Sequence, residues 1–325
     1  MAAPAITADQ SGQRRQVRSR LHRGDSVAHL LTLAFASSVL LVTVMLVWTL
    51  WSTSALTRHK FGFQFLVGTN WDEVHGVFGA LPFIWGTVLT SMLALIISVP
   101  LGVGAAIFLS ELAPAKLSDS CTFLVELLAA VPSVIYGLLA MFTLVPLMRI
   151  YVEPFLKHTL GFLPIFQGSA VGWGYLSAGV ILAIMTFPFI ISISREALME
   201  VPRDQREAAL ALGATKWEST IQVVVPFARL GILGSIFLGL ARALGETMAV
   251  TMVIGNDTNM HISLLASGYS MASLIANQFA DPNSPLHLSA LVEIALVLFL
   301  ITIVINALAR LLVIATRGKG TAHTA

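Results

Sequence analysis

Charge is scarce in these 325 residues, with Asp, Glu, Lys and Arg making up only 11% of the chain, whereas soluble domains run near a quarter. So few charges cannot clothe a water-facing surface, which excludes a soluble globular protein. Cysteine is nearly absent too. Cys121 stands alone, so there is no internal disulfide and no CxxC metal site. The chain has no GxxxxGK[ST] run to cradle nucleotide phosphates, hence no nucleotide site or other cofactor motif of its own. Neither HExxH nor GxSxG marks an apolar segment, which argues against an intramembrane hydrolase. The net charge of +2 comes with no dense basic block, so nothing offers nucleic acid a footprint.

What is present is hydrophobicity: 56% of residues are apolar and the mean hydropathy is +0.84. Six stretches, about 27–51, 83–110, 121–148, 175–194, 227–254 and 289–315, approach the roughly 20 apolar residues that a bilayer requires. The first follows a basic leader (Arg14, Arg15, Arg18, Arg20, Arg23). It exceeds the roughly 7–15 residues of a signal-peptide core, so it reads as a retained helix. Lys and Arg concentrate in the N-terminal tail, at Lys116, in 195–226 and at Arg310, Arg317 and Lys319; the alternate loops carry Arg58 and Lys60, then Arg149 and Lys157, then none in 255–288. That bias puts both termini and the 195–226 loop in the cytoplasm. The expected organisation is a basic tail (1–26), a first helix with an external loop (27–77), a membrane domain (78–315) and a short cytoplasmic tail (316–325).

Against this background "EAALALGATKWESTIQVVVP" (207–226) is conspicuously polar. Pro202 and Asp204 suit a first helical turn. Gly213 sits where a left-handed residue ends that helix. Thr215 and Glu218 fit a capping box opening a second helix, which Pro226 is expected to close. A DNA-reading helix-turn-helix fails on charge, because 195–226 holds four basic and five acidic residues. An ordinary amphipathic loop has the same local pattern.

Charges inside apolar spans are costly, about 2.5–3.5 kcal/mol each at mid-bilayer unless paired or hydrated. "LGLARALGETMAV" places Arg242 near the middle of the fifth span with Glu246 four residues on, so that α-periodicity puts the two on one helix face. Two readings stand. The pair is an ion pair that eases insertion, or Arg242 lines the route of an oxyanion, which a guanidinium holds through two parallel hydrogen bonds, with Glu246 steadying it. "VELLAAVPSVIYGL" puts Glu126, Pro132, Ser133 and Tyr136 in the third span, where proline frees a backbone carbonyl; packing kink and pore lining are both open. Glu293 takes no role.

The pattern Glu207-Ala208-Ala209, three residues, Gly213, nine residues, then Val223-Val224-Val225-Pro226 resembles the EAA loop of ABC-importer permeases. The resemblance implies that Glu207, Ala208, Ala209 and Gly213 belong to a hairpin docked on a separate ATPase. "FGALPFIWGT" (78–87), "SELAP" (110–114), "VPSVIYG" (131–137) and "GLARALGETMAVT" (239–251) are similar to the permeases of the phosphate-specific ABC importer, the last motif closer to the C than to the A subunit. By that resemblance the fold is all-α, six transmembrane helices of the type I importer class. Arg242 and Glu246 take the places of the family's functional pair. The partners are a second permease, an ATPase dimer, an external phosphate-binding protein and phosphate itself. A permease for molybdate or sulfate, or a secondary anion transporter, is the alternative.

Overall fold

The computed structural model describes residues 9–317, so the first eight residues of the basic tail and residues 318–325 of the C-terminal tail lie outside it. The chain divides into two units, Met1–Thr53 and Ser54–Ala325. Among the described residues the first unit is one helix, α1 (Asp9–Thr53), whose Ala28–Thr53 part is apolar and long enough to cross a bilayer.

The second unit opens with short helices α2 (Ala55–Phe61) and α3 (Gln64–Val67) and a β-hairpin of β1 (Trp71–Asp72) and β2 (Val77–Phe78), antiparallel with Trp71 opposite Phe78. There follow α4 (Leu81–Leu112), α5 (Ala115–Ala129), α6 (Ser133–Leu160), α7 (Tyr175–Met199), α8 (Arg203–Ala211), α9 (Lys216–Gly245), α10 (Met248–Thr251), α11 (Met271–Gln278) and α12 (Pro285–Arg317). Helices α4, α6, α7, α9 and α12 supply five more membrane spans, making six.

Two spans depart from the sequence reading. The stretch 121–148 is broken: α5 ends at Ala129, Pro132 is extended (φ −59°, ψ 141°), and α6 starts at Ser133. Proline cannot donate to the turn behind it and disfavours helix in the residue before it, so the helix stops there. The fifth span is displaced toward the N-terminus, to Lys216–Gly245 rather than 227–254. Pro226 does not close the hairpin's second helix, which continues into the span. At the other end Gly245, a poor helix former, is followed by Glu246 in extended conformation (φ −69°, ψ 128°).

Proline explains a recurring local feature. Four π-helical turns, Phe108–Leu112, Ala140–Leu144, Met148–Val152 and Thr220–Val224, interrupt the helices. Each is closed by an N–H reaching back five residues: Ala113 to Phe108, Val145 to Ala140, Glu153 to Met148 and Val225 to Thr220. In every case the next residue is a proline, Pro114, Pro146, Pro154 or Pro226. The wider turn accommodates a ring that would collide with the carbonyl of a regular turn.

Helix α7 is the most buried span and forms the centre of the unit. Its contact with α4 depends on a missing side chain: a Cβ at Gly179 would fall 2.3 Å from Leu93 Cδ2. Against α9, Ser194 and Ser235 share a buried hydroxyl bond of 2.7 Å. Such small-residue contacts replace hydrophobic driving force where the solvent is lipid. Tyr136, Tyr175, Ile181, Leu182, Ala249 and Val253 form one core cluster, which packs α6 and α10 onto α7. Ala106, Leu198, Val224 and Ile232 form another beneath the α8–α9 hairpin.

Candidate functional site

The hairpin is built by two caps. Gly213 has φ +91°, its N–H donates to Leu210 O at 3.0 Å, and Ala214 N–H donates to Ala209 O at 3.2 Å. This pair of bonds is a Schellman motif, which satisfies carbonyls the helix end leaves bare. The next helix opens with a reciprocal capping box. Thr215 N–H donates to Glu218 Oε2 at 2.8 Å and Glu218 N–H to Thr215 Oγ1 at 3.3 Å, so two orphan amides are paired. The product is a stiff turn exposing Glu207, Ala208 and Gly213, with Ala209 half-buried. Leu212 at its tip is 91% exposed, beside exposed Leu210 and Trp217, an apolar crest on a charged element.

Arg206 ties the hairpin to the spans. Its guanidinium donates Nε to Glu111 Oε2 at 3.2 Å and Nη2 to Glu111 Oε1 at 2.8 Å, with a further Nη2 bond to Leu198 O at 2.7 Å. The fork matches the carboxylate at two points, so this contact fixes orientation as well as distance. Glu111 belongs to "SELAP", at the foot of α4, and Leu198 to the foot of α7. Arg206 thereby bonds α8 to the feet of both helices.

The second candidate site lies around Arg242, in the last turn of the long helix of α9 rather than near its middle. Its guanidinium carbon stands 4.1 Å from the centroid of the Phe189 ring, a cation–π contact. It forms no ion pair among the described residues, and its Nε is buried without a hydrogen-bond partner. The expected Arg242–Glu246 pair is absent, because α-periodicity stops at Gly245. Glu246 instead turns its carboxylate onto α10, where Oε1 accepts Thr247 N–H at 3.2 Å and Ala249 N–H at 3.4 Å.

Tyr136 is buried. Its hydroxyl donates to Leu128 O at 2.8 Å, the carbonyl that Pro132, four residues on, cannot reach. That carbonyl also accepts Val131 N–H at 3.2 Å, so the tyrosine hydroxyl adds a second bond at the proline break. Ser133 starts α6. Glu126 is on the far side of the break, exposed on α5, and so does not share a continuous span with Ser133 and Tyr136. A cavity of about 220 Å³ adjoins Tyr136 between Ser98, Leu128, Phe187 and Pro188. Its walls are apolar, unsuited to an anion. Glu293 faces Arg58 at 3.9 Å.

The family described as "Binding-protein-dependent transport system inner membrane component" matches residues 98–318. The chain belongs to this family. Among relatives of this permease, "Phosphate transport system permease protein PstC" of Xylella fastidiosa (strain 9a5c) is 45% identical over 262 residues, covering 79% of this chain and 81% of the relative. A protein of the same name from Mesorhizobium japonicum is 42% identical over 310 residues, 94% of each chain. Among solved structures, a bacterial ABC transporter involved in the import of the acidic polysaccharide alginate superposes with a TM-score of 0.51 over 83% of this chain and 95% of that one, at 16% identity. That likeness is one of fold alone: an all-helical ABC-importer permease. The permease is a multi-pass membrane component, and a transporter of this class also requires an ATPase and a substrate-binding protein.

Two residues of the permease join these sites without a sequence signal. Phe189 lies on α7 and meets Arg242 only through packing of α7 on α9. Arg206 looks like one more charge in a polar loop until Glu111 folds against it.

Proposed function

We propose that this chain is one of two permease subunits of an ATP-driven importer of inorganic phosphate and contributes half of the translocation path. The observation that carries the reading is Arg242. It is a permanently charged, half-buried group at the end of a span, stacked on Phe189 and lacking an ion-pair partner among the described residues. A cation so placed is expensive unless something anionic visits it, and the printed name of the relatives supplies the anion. Arg242 is the phosphate contact. Tyr136 and Ser133 line the route beside it, Glu126 contributes from α5 beyond the proline break, and Glu246 sets the position of α10.

Energy enters through the hairpin. Glu207, Ala208, Ala209 and Gly213 form the surface that docks on a cytoplasmic ATPase pair made by separate chains, and Arg206–Glu111 carries the motion to α4 and α7. A second permease closes the path, and an external phosphate-binding protein delivers the substrate. Residues 78–315 make up the permease domain, with both termini cytoplasmic.

The test is uptake by the reconstituted complex. Labelled phosphate should accumulate in an ATP-dependent way and resist competition by sulfate and molybdate. Transport of either competitor in place of phosphate would reassign the substrate while keeping the transporter class.

A further inference from the structure

Loop 161–174, on the other side of the spans from the hairpin, is pinned at one residue. Gly172 is buried and has φ +83°. Its N–H donates to Glu153 Oε2 on α6 at 2.8 Å, and its carbonyl accepts the Ser177 hydroxyl of α7 at 2.6 Å. Two spans thus grip a single residue. A Cβ on it would fall 2.6 Å from Val145 O and 2.9 Å from Arg149 Cβ, so only glycine lets the loop come this close to α6. Lys157 Nζ holds the same loop at Gly168 O, at 2.7 Å.

Glu153 is a costly partner for that bond. It is 0% exposed, and its other oxygen, Oε1, is buried without a hydrogen-bond partner. Arg149 and Lys157, on the same helix, are both exposed, and neither forms an ion pair with it among the described residues. A carboxyl buried to hold one amide calls for a reason beyond packing. The helix is also shaped to put it there. Eight residues of regular α-helix would set Val145 and Glu153 about 80° apart. The surplus residue of the Met148–Val152 π turn takes up that difference, so that both meet Gly172.

The pinned segment leads to Arg242. Gly174 N–H donates to Val253 O and Tyr175 N–H to Ala266 O, each at 3.1 Å, and Ser267 Oγ donates to Trp173 O at 3.2 Å. Val253 lies two residues past α10, and α10 is joined to Arg242 by the turn that Glu246 caps. Helix α10 also rests on α6 at Gly137, beside Tyr136, where a Cβ would fall 3.0 Å from Ala249 Cα. The residues that follow Arg242 are therefore set by segment 172–175, and that segment is set by Glu153. We propose that Glu153 is a positioning residue for the closed outer end of the phosphate route. Through Gly172 it holds segment 172–175 and α10 against α6, which shuts phosphate at Arg242 off from the outer solution. The proposal rests on the reading of Arg242 as the phosphate contact.

Vesicles carrying the assembled complex are loaded with labelled phosphate, and its release is followed without ATP or binding protein. Glu153→Leu, which fills the space but offers no acceptor, should speed release per complex about tenfold, the weight of one buried amide left unpaired. Glu153→Gln keeps the length and an acceptor oxygen, and should release no faster than wild type. A residue that only stabilises the fold would lower the amount of complex in Glu153→Leu and leave release per complex unchanged. That result, or equal leakage in the Gln and Leu variants, overturns the proposal. Ser177→Ala removes the second hold on Gly172 while keeping the carboxyl, and should leak as well. It decides the matter if Glu153→Leu does not assemble, a tight Ser177→Ala complex then overturning the proposal. Tight variants of a wild type that imports phosphate leave the permease reading intact, whereas a wild type that imports none overturns both.

Discussion

Arg242 is a guanidinium that lies over the aromatic face of Phe189. With no ion pair to balance it, removing its charge should relieve insertion cost rather than expose an orphan carboxylate, and Glu246→Gln should not compensate for it. Arg242→Gln should therefore give normal amounts of assembled complex and little phosphate uptake, and adding Glu246→Gln should restore none. Arg242→Lys keeps the charge but loses the planar fork and the flat stacking on Phe189, so uptake should be impaired but measurable. Uptake normalised to assembled complex decides this. Full activity in Arg242→Gln would remove the anion contact from the proposed mechanism. Glu246→Ala, which removes the acceptor of the Thr247 and Ala249 N–H bonds, should cost about 0.5–2 kcal/mol of local stability, as capping losses do.

At the scale of elements, the α8–α9 hairpin carries its own controls. A Cβ at Gly213 would meet nothing within 4 Å, so the obstacle to substitution there is backbone conformation alone. Gly213→Val should destabilise the turn by about 1–3 kcal/mol and uncouple ATPase activity from uptake, while Gly213→Asn, a residue that tolerates left-handed φ, should retain coupling. Equal behaviour of the two variants would show that the turn geometry is not what the ATPase reads. Elements of this kind are legible in the sequence because caps are local: Gly213, Thr215 and Glu218 act on neighbours within five residues. The joint α5–α6 is half legible. Pro132 marks the break, but the Tyr136 hydroxyl bond across it needs the folded turn. The Arg242–Glu246 pairing fails because it extends a 3.6-residue period across Gly245, and Pro226 misleads because a π turn absorbs it. Arg206 with Glu111, and Arg242 with Phe189, are contacts between distant segments that no spacing encodes.

For the whole molecule, six spans and the Lys/Arg bias assign each loop a side, and the structure shows where to place reporters. Leu212, at the hairpin tip, and Val74, in the β1–β2 turn, are each 91% exposed, and three spans (α4, α6 and α7) separate them along the chain. In a Cys121-free background, Val74→Cys should react with an impermeant thiol reagent applied from outside and Leu212→Cys only after permeabilisation. The reverse pattern would move the hairpin to the outer face and end its contact with an ATPase.

The four π turns bear on how the chain tolerates changes in length. A turn closed over five residues is an α-helical turn holding one surplus residue, and here each surplus is tied to the proline that follows it. Loss of Pro146, Pro154 or Pro226 removes the reason for the extra residue, and deleting one residue upstream would return the helix to a regular ladder with its downstream faces unchanged. Substitution and deletion at these places are thus coupled events. A one-residue gap beside a missing proline, in a comparison of permeases of this kind, marks compensation rather than divergence, and residues on either side of it keep their register in space.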